Sequence, residues 1–273
     1  MSYHRFVVLG DSCAEGLDDP YPGRHQYRGW ADFVAARLAE EDPRFRYANL
    51  AVRGRRLDQI VPEQVPAAAR LEPDLIALFG GGNDVMSRGW DARTVARRVD
   101  AAIRACTEIS PTVVTFTLSD ISNRMPLGAR MRPRIVALNE AIREAAVSYG
   151  AQLVDLWPDQ AVTDSRYFGA DRLHLSTHGH HRLAAYVLGL LGVDHDPGWL
   201  APLPGTPSGG GWRADLSWVV REVLPVAVSR TRNRLVGRQP GDGFFPKRPD
   251  LLPMTRELTR DTTLDEAWAP GNA

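Results

Sequence analysis

The chain has 273 residues, enough for one large domain or for one domain with an appended segment. Its composition is that of a globular protein, and 33 basic residues balance 33 acidic ones, so no global charge favours nucleic acid or an anionic membrane. The two cysteines, Cys13 and Cys106, make no disulfide framework, and the first apolar run is too short for a signal peptide or a membrane span. A cytoplasmic protein is expected, without a nucleic-acid partner and without stable membrane insertion.

Residues 6–9, Phe-Val-Val-Leu, are an unbroken apolar run that reads as a strand covered on both faces. It leads into the turn Gly10-Asp11-Ser12. Gly10 opens backbone conformations closed to other residues, and Asp11 is a natural turn former. Ser12 is thereby delivered at the carboxyl end of a strand, where open α/β sheets place their ligands. Residues 13–29 are polar with interspersed Gly and Pro, and read as a loop. The spacing of Trp30, Phe33, Val34 and Leu38 predicts a helix over 30–41. Residues 45–50 read as a short strand, left by the turn Ala51-Val52-Arg53-Gly54. A helix over 57–71, interrupted at Pro62 and Pro66, precedes a second apolar run over 74–79 that ends in Gly80-Gly81-Gly82-Asn83-Asp84. Then follow an amphipathic helix over 91–109, a β-branched strand over 112–118, a helix over 132–149 stopped by Gly150, and a short strand over 152–156. A loop carries Asp171 and His174, and Thr177 is expected to N-cap a last helix reaching residue 191.

This alternation of strand and helix predicts an α/β domain over residues 1–192: a parallel sheet of about five strands with helices on both faces. Residues 193–211, rich in Pro and Gly from 202 onward, read as a linker. The extension over 212–273 opens with Leu216, Val219, Val220, Val223 and Leu224 at helical spacing, a run that Pro225 is expected to stop. Basic residues, nearly all arginine, outnumber acids up to residue 249, and the polar tail from Asp250 is expected to be loosely ordered. The extension is expected to pack on the first domain. A surface for a homo-oligomer or another partner is the second expectation, and docking of so short a stripe on a membrane the third.

Asp171-Arg172-Leu173-His174 sets a carboxylate three residues before an imidazole, which brings both side chains to one side of a turn. A serine hydroxyl is a poor nucleophile at neutral pH until a base takes its proton. A carboxylate on the imidazole's other nitrogen fixes the tautomer and stabilises the imidazolium. The developing oxyanion needs donors too: Gly54 offers an N–H unobstructed by a Cβ, Asn83 an amide, and Ser12 its own N–H. Nucleophile, acid–base pair and donors thus fall on separate turns.

In these blocks the sequence resembles the SGNH (GDSL-type) hydrolase family of serine esterases and acylhydrolases. Gly10-Asp11-Ser12 matches its first block, Asn49 to Gly54 its second, Gly81-Gly82-Asn83-Asp84 its third and Asp171 to His174 its fifth, in the family's order. The resemblance spans residues 3–191; Cys13-Ala14 stand where the family's name has leucine. It implies a flavodoxin-like three-layer α/β/α sandwich, Ser12 as nucleophile, His174 as general base, Asp171 as its partner, and Ser12, Gly54 and Asn83 as the oxyanion hole. The expected activity is hydrolysis of a small-molecule carboxylic ester through an acyl-enzyme. Thioesterase or lysophospholipase chemistry on the same residues is the alternative, with a non-catalytic binding protein behind it. No metal or organic cofactor is implied.

His178, His180 and His181 invite a metal reading, but two are adjacent and cannot share one face, and no cysteine lies near, so no zinc site is expected. Cys13 is expected to be an inert thiol turned away from Ser12. The loops 13–29, 86–91 and 119–130 are expected to set the acyl and alcohol preference.

Overall fold

A computed structural model describes residues 3–20, 27–122, 124–125, 128–206 and 212–254. The first strand, β1 (Arg5–Gly10), lies between β2 (Arg46–Asn49) and β3 (Leu75–Phe79); β4 (Thr112–Phe116) and β5 (Gln152–Val154) extend the sheet beyond β3, all parallel. Continuous apolar runs form these strands because each strand is covered twice. Phe6 and Val8 point to one side with Ala77 and Phe79, while Val7 and Leu9 point to the other with Ile76 and Leu78. Helices α2 (Trp30–Glu41) and α7 (Thr177–Leu190) close the first side. Helices α3 (Leu57–Ala69), α5 (Ala92–Thr107) and α6 (Gly128–Tyr149) close the second. The result is a three-layer α/β/α sandwich. Its strand order, β2-β1-β3-β4-β5, is the flavodoxin-like one, in which the order reverses between β1 and β3 and the crevice there receives ligands.

The extension supplies a sixth strand, β6 (Arg248–Leu252), antiparallel to β2, so the sheet is mixed and the polar stretch from Asp250 is ordered as far as Leu252. Covering the β2 edge occupies backbone groups that would otherwise be an open template. Lys247 fastens this strap from the other side: its ammonium donates to the carbonyls of Tyr27 and Arg28 and pairs with Asp32. The rest of the tail, from residue 255, lies outside the described residues. Residues 193–206 are not a free linker. They fold back on α7, where Trp199 stacks on His181 and Arg182 donates to the Leu200 carbonyl.

Several breakers act less strongly than expected. Helix α3 runs unbroken through Pro62 and Pro66, which are four apart on its exposed face, so the carbonyls they leave without an N–H partner are on the solvent side. Helix α6 begins at Gly128, ahead of Pro133. Pro225 does not stop the last helical run either. Helix α8 (Trp212–Trp218) passes through a π-helical turn, Val219–Val223, into α9 (Leu224–Leu235); the wider turn absorbs the missing proline N–H. Among the described residues no helix is long and apolar enough to cross a membrane.

Candidate active site

Ser12 is the first residue of a short helix, α1 (Ser12–Glu15), so the loop expected from residue 13 begins one turn later. Asp11 caps this helix by accepting the Cys13 N–H, and its own N–H bonds the Phe79 carbonyl on β3. That close approach is why position 10 is glycine: its φ is +144°, and a Cβ there would lie 1.9 Å from the Phe79 oxygen. The Gln64 amide brackets the same glycine, accepting from its N–H at 2.8 Å and donating to its carbonyl at 2.9 Å.

The loop before α7 carries the second half of the site. Asp171 Oδ1 accepts the backbone N–H groups of Leu173 and His174, both at 2.9 Å, which folds the three-residue spacing into a tight turn. Asp171 Oδ2 then lies 2.5 Å from His174 Nδ1, and His174 Nε2 lies 2.7 Å from Ser12 Oγ. The sequence separation between the last two residues is 162, so this contact is made by the sheet order and not by local pattern. Burial opposes ionisation of Asp171, but the bonds from His174 outweigh it and hold the carboxyl down to about 2. Burial likewise disfavours the His174 imidazolium, yet Asp171, then Asp18 and Asp11, raise its pKa above the ordinary histidine value. Carboxylate, imidazole and hydroxyl form one chain in which a proton can move from Ser12 to His174.

Gly54, at φ +82°, is held beside α1 through its neighbours. Arg53 is paired with Glu15 and donates its backbone N–H to the same carboxylate at 3.0 Å. Asn83 lies on α4 (Gly82–Val85), the turn that leaves β3. Its amide donates to Asp11 Oδ2 at 3.2 Å and to the Arg55 carbonyl at 3.1 Å, so it ties the Ser12 turn to the Gly54 turn. Both amide hydrogens are therefore engaged in the free protein. Asp84 next to it is buried and structural, taking the Leu57 N–H and the Arg98 guanidinium.

A sequence-family model for the GDSL-like lipase/acylhydrolase family matches residues 8–182. The chain belongs to this family. No curated protein matches it. Solved structures share its fold at low identity. An α/β hydrolase enzyme, LAE5, from the metagenome of Lake Arreo superimposes with a TM-score of 0.58 at 21% identity, over 69% of this chain and 95% of its own. The acetylxylan esterase Axe2 of Geobacillus stearothermophilus gives 0.58 at 16%, over 70% and 95%. A lipase/acylhydrolase from Enterococcus faecalis gives 0.55 at 20%, over 74% and 100%. Membership places this GDSL-like protein among the ester hydrolases.

Three features around this GDSL-type centre go beyond the motif blocks. Arg124, from the loop before α6, lies over the Phe168 ring and donates to the Arg172 carbonyl, the Asp120 carbonyl and Ser119 Oγ, so it braces the Asp171–His174 turn. Arg172 reaches the other way, 2.6 Å from Asp215, with its guanidinium over Trp218, which docks α8 against the same turn. Leu216, Val220, Leu224 and Val228, four apart along that helical run, are exposed. Arg124 lies outside the blocks, and Arg172, although it stands inside the fifth, carries no role there that would point to Asp215 or Trp218.

The histidines diverge. His180 is buried and accepts the Trp30 N–H while facing the Leu17 carbonyl, and burial pushes it down to about 4, so it is neutral; His181 stacks on Trp199. Helix α7 is capped by Ser176 and not by Thr177, whose hydroxyl instead donates to Asp19 at 2.6 Å. The Cys13 thiol is pushed well up, by loss of water first and then by Asp11 and Asp171, so it is a poor nucleophile. A cavity of about 360 Å³ between β5 and α7, lined by Asp155, Asp159 and Tyr186, is separate from this centre.

Proposed function

We propose that the protein hydrolyses carboxylic esters of small molecules through an acyl-enzyme on Ser12. The observation that carries this reading is the continuous chain from Ser12 Oγ through His174 to Asp171, with links of 2.7 and 2.5 Å. Ser12 attacks the acyl carbonyl as His174 Nε2 takes its proton, and Asp171 holds the tautomer and balances the imidazolium. The oxyanion is received by the N–H groups of Ser12 and Gly54 and by Asn83, whose amide exchanges one of its present bonds, to Asp11 or to the Arg55 carbonyl, for the new charge. His174 then protonates the leaving alcohol, and water repeats the sequence in reverse. No step calls on a metal or an organic cofactor.

Family membership supports the reaction class. Two solved variants of the Geobacillus esterase are described as catalytic mutants, with alanine at a histidine and at an aspartate three positions before it, the spacing of Asp171 and His174 here. The test is turnover of a panel of aryl esters of increasing chain length, with acyl-CoA and lysolipid arms, by wild type and by Ser12→Ala. Hydrolysis that depends on Ser12 and is fastest on oxygen esters is expected. Turnover by Ser12→Ala at the wild-type rate refutes the assignment, and a preference for acyl-CoA or lysolipid replaces the ester by those substrates.

A further inference from the structure

We propose that Asp18 is a positioning residue of this site: a second carboxylate behind the Asp171–His174 pair, whose charge supports the imidazolium formed when Ser12 gives up its proton. The inference rests on the catalytic reading of Ser12 and His174 and adds a residue to it.

Asp18, Asp171 and His174 bring an oxygen, an oxygen and a nitrogen within 4.8 Å of one another. Asp18 does not drift there on a loose loop. Gly16 and Leu17 both return their N–H groups to the Ser12 carbonyl, so the segment winds back over the nucleophile's own turn. On the other side Asp19 is locked in the interior: it takes two guanidinium bonds from Arg28, the Gly29 N–H and the Thr177 hydroxyl. Between these two anchors Asp18 is held at φ +68°, a left-handed conformation that aspartate tolerates but that few residues adopt.

The surroundings of its carboxylate are unusual for a structural acid. Asp18 Oδ2 is shielded from water and meets no N–H donor, whereas buried carboxylate oxygens ordinarily do; the neighbour within hydrogen-bond reach of the Asp18 carboxyl is Asp171, itself an acceptor. The room it occupies exists only because residue 169 is glycine: a Cβ at Gly169 would lie 2.1 Å from Asp18 Oδ2. Gly169 is itself bonded through its N–H to the His174 carbonyl, so the bare wall belongs to the catalytic loop. A site that needed only to fold would not bury two carboxyl groups against one another with no N–H donor on Asp18 Oδ2.

The charged groups facing this cluster come from four elements. Asp171 and His174 face Asp18 from the catalytic loop, Glu222 from the π-helical turn, Asp11 faces His174 from the Ser12 turn, and Arg124 faces Asp171 from the loop before α6. Glu222 and Asp171 add to the burial that holds Asp18 above the usual carboxylate range, and only His174 among its neighbours works to ionise it. The benefit is reciprocal: Asp18 raises His174 after Asp171 does. Ionised Asp18 is therefore stabilised by the imidazolium and stabilises it in return.

The experiment follows the His174 ring by NMR across pH in wild type and in Asp18→Asn, together with the pH profile of kcat/KM. Asparagine keeps the shape and accepts a positive φ, so the backbone is undisturbed. The His174 titration midpoint and the acid limb should both move down by at least about half a pH unit. Gly169→Ala, which drives the carboxylate away with Asp18 intact, should move them in the same direction, and it keeps the test open if Asp18→Asn fails to fold. An unmoved His174 midpoint in a folded variant overturns the proposal. The NMR midpoint needs no turnover, so it is read even if Ser12 proves not to be the nucleophile, which the Ser12→Ala comparison reports separately.

Discussion

Replacing Asp171 by asparagine changes one atom and reverses the polarity of the chain that ends at Ser12. Asp171 Oδ1 receives two backbone N–H groups at 2.9 Å, so the asparagine must keep its carbonyl oxygen there, because an NH₂ would face two donors. The NH₂ then replaces Oδ2, which now lies 2.5 Å from His174 Nδ1. That nitrogen has to become the acceptor, and the imidazole proton moves to Nε2, aimed at Ser12 Oγ 2.7 Å away. The base is left without a lone pair for the serine proton. The expected fall in kcat is about 10⁴-fold, or about 5.4 kcal/mol of transition-state stabilisation. It is read from single-substrate kinetics on a short aryl ester at pH 8, with a circular dichroism melt to show that the variant is folded. A folded Asp171→Asn protein whose kcat stays within tenfold of wild type would refute the reasoning, since the wrong tautomer would then have made no difference.

In the proposed mechanism His174 acts as base only when neutral, and its partners raise it above the ordinary value of about 6.5, so kcat/KM should fall with decreasing pH through a midpoint above that value; a midpoint at or below it contradicts the electrostatics described here. Asn83→Ala should lower kcat by about 10²–10³ with little change in KM, and an unchanged kcat would remove Asn83 from the oxyanion hole. Asp19→Ala removes the carboxylate that accepts two bonds from the Arg28 guanidinium, a side chain only 2% exposed, so urea denaturation should show a loss of about 3–5 kcal/mol. A loss below about 1 kcal/mol would mean that the pair is not the anchor of the Asp18 segment.

The motif blocks of the candidate site were legible in the sequence because each is a local device with its own residue requirements. Gly10 must accept positive φ under the Phe79 carbonyl, and Asp171 must sit three residues before His174 for its Oδ1 to catch two backbone N–H groups. The sheet was legible as far as both faces of each strand are buried, which writes Phe6 to Leu9 as one apolar run. What escaped depends on partners distant in sequence. β6 is polar and half exposed, and it is a strand only because the β2 edge offers it bonds and Lys247 ties it to residues 27–32. Pro62, Pro66 and Pro225 look like breakers in sequence, but their cost depends on whether the freed carbonyls face water or a π turn. Arg124 and Asp18 carry no local signature, since an arginine over Phe168 and a carboxylate opposite Gly169 are relations between two loops. Asn83 sits where the blocks suggested, yet its bonds to Asp11 and Arg55 give it a bridging task that its position in a motif does not disclose.

The central claim is that Ser12 is the nucleophile, and covalent labelling tests it without knowledge of the substrate. Wild type and Ser12→Ala are treated with a fluorophosphonate at pH 8, and the adduct is located by peptide mass spectrometry. The account predicts one adduct per chain, on Ser12, formed at the rate at which esterase activity disappears, and none in Ser12→Ala. An adduct elsewhere that abolishes activity, or full ester turnover by a protein that Ser12 labelling has saturated, would contradict it.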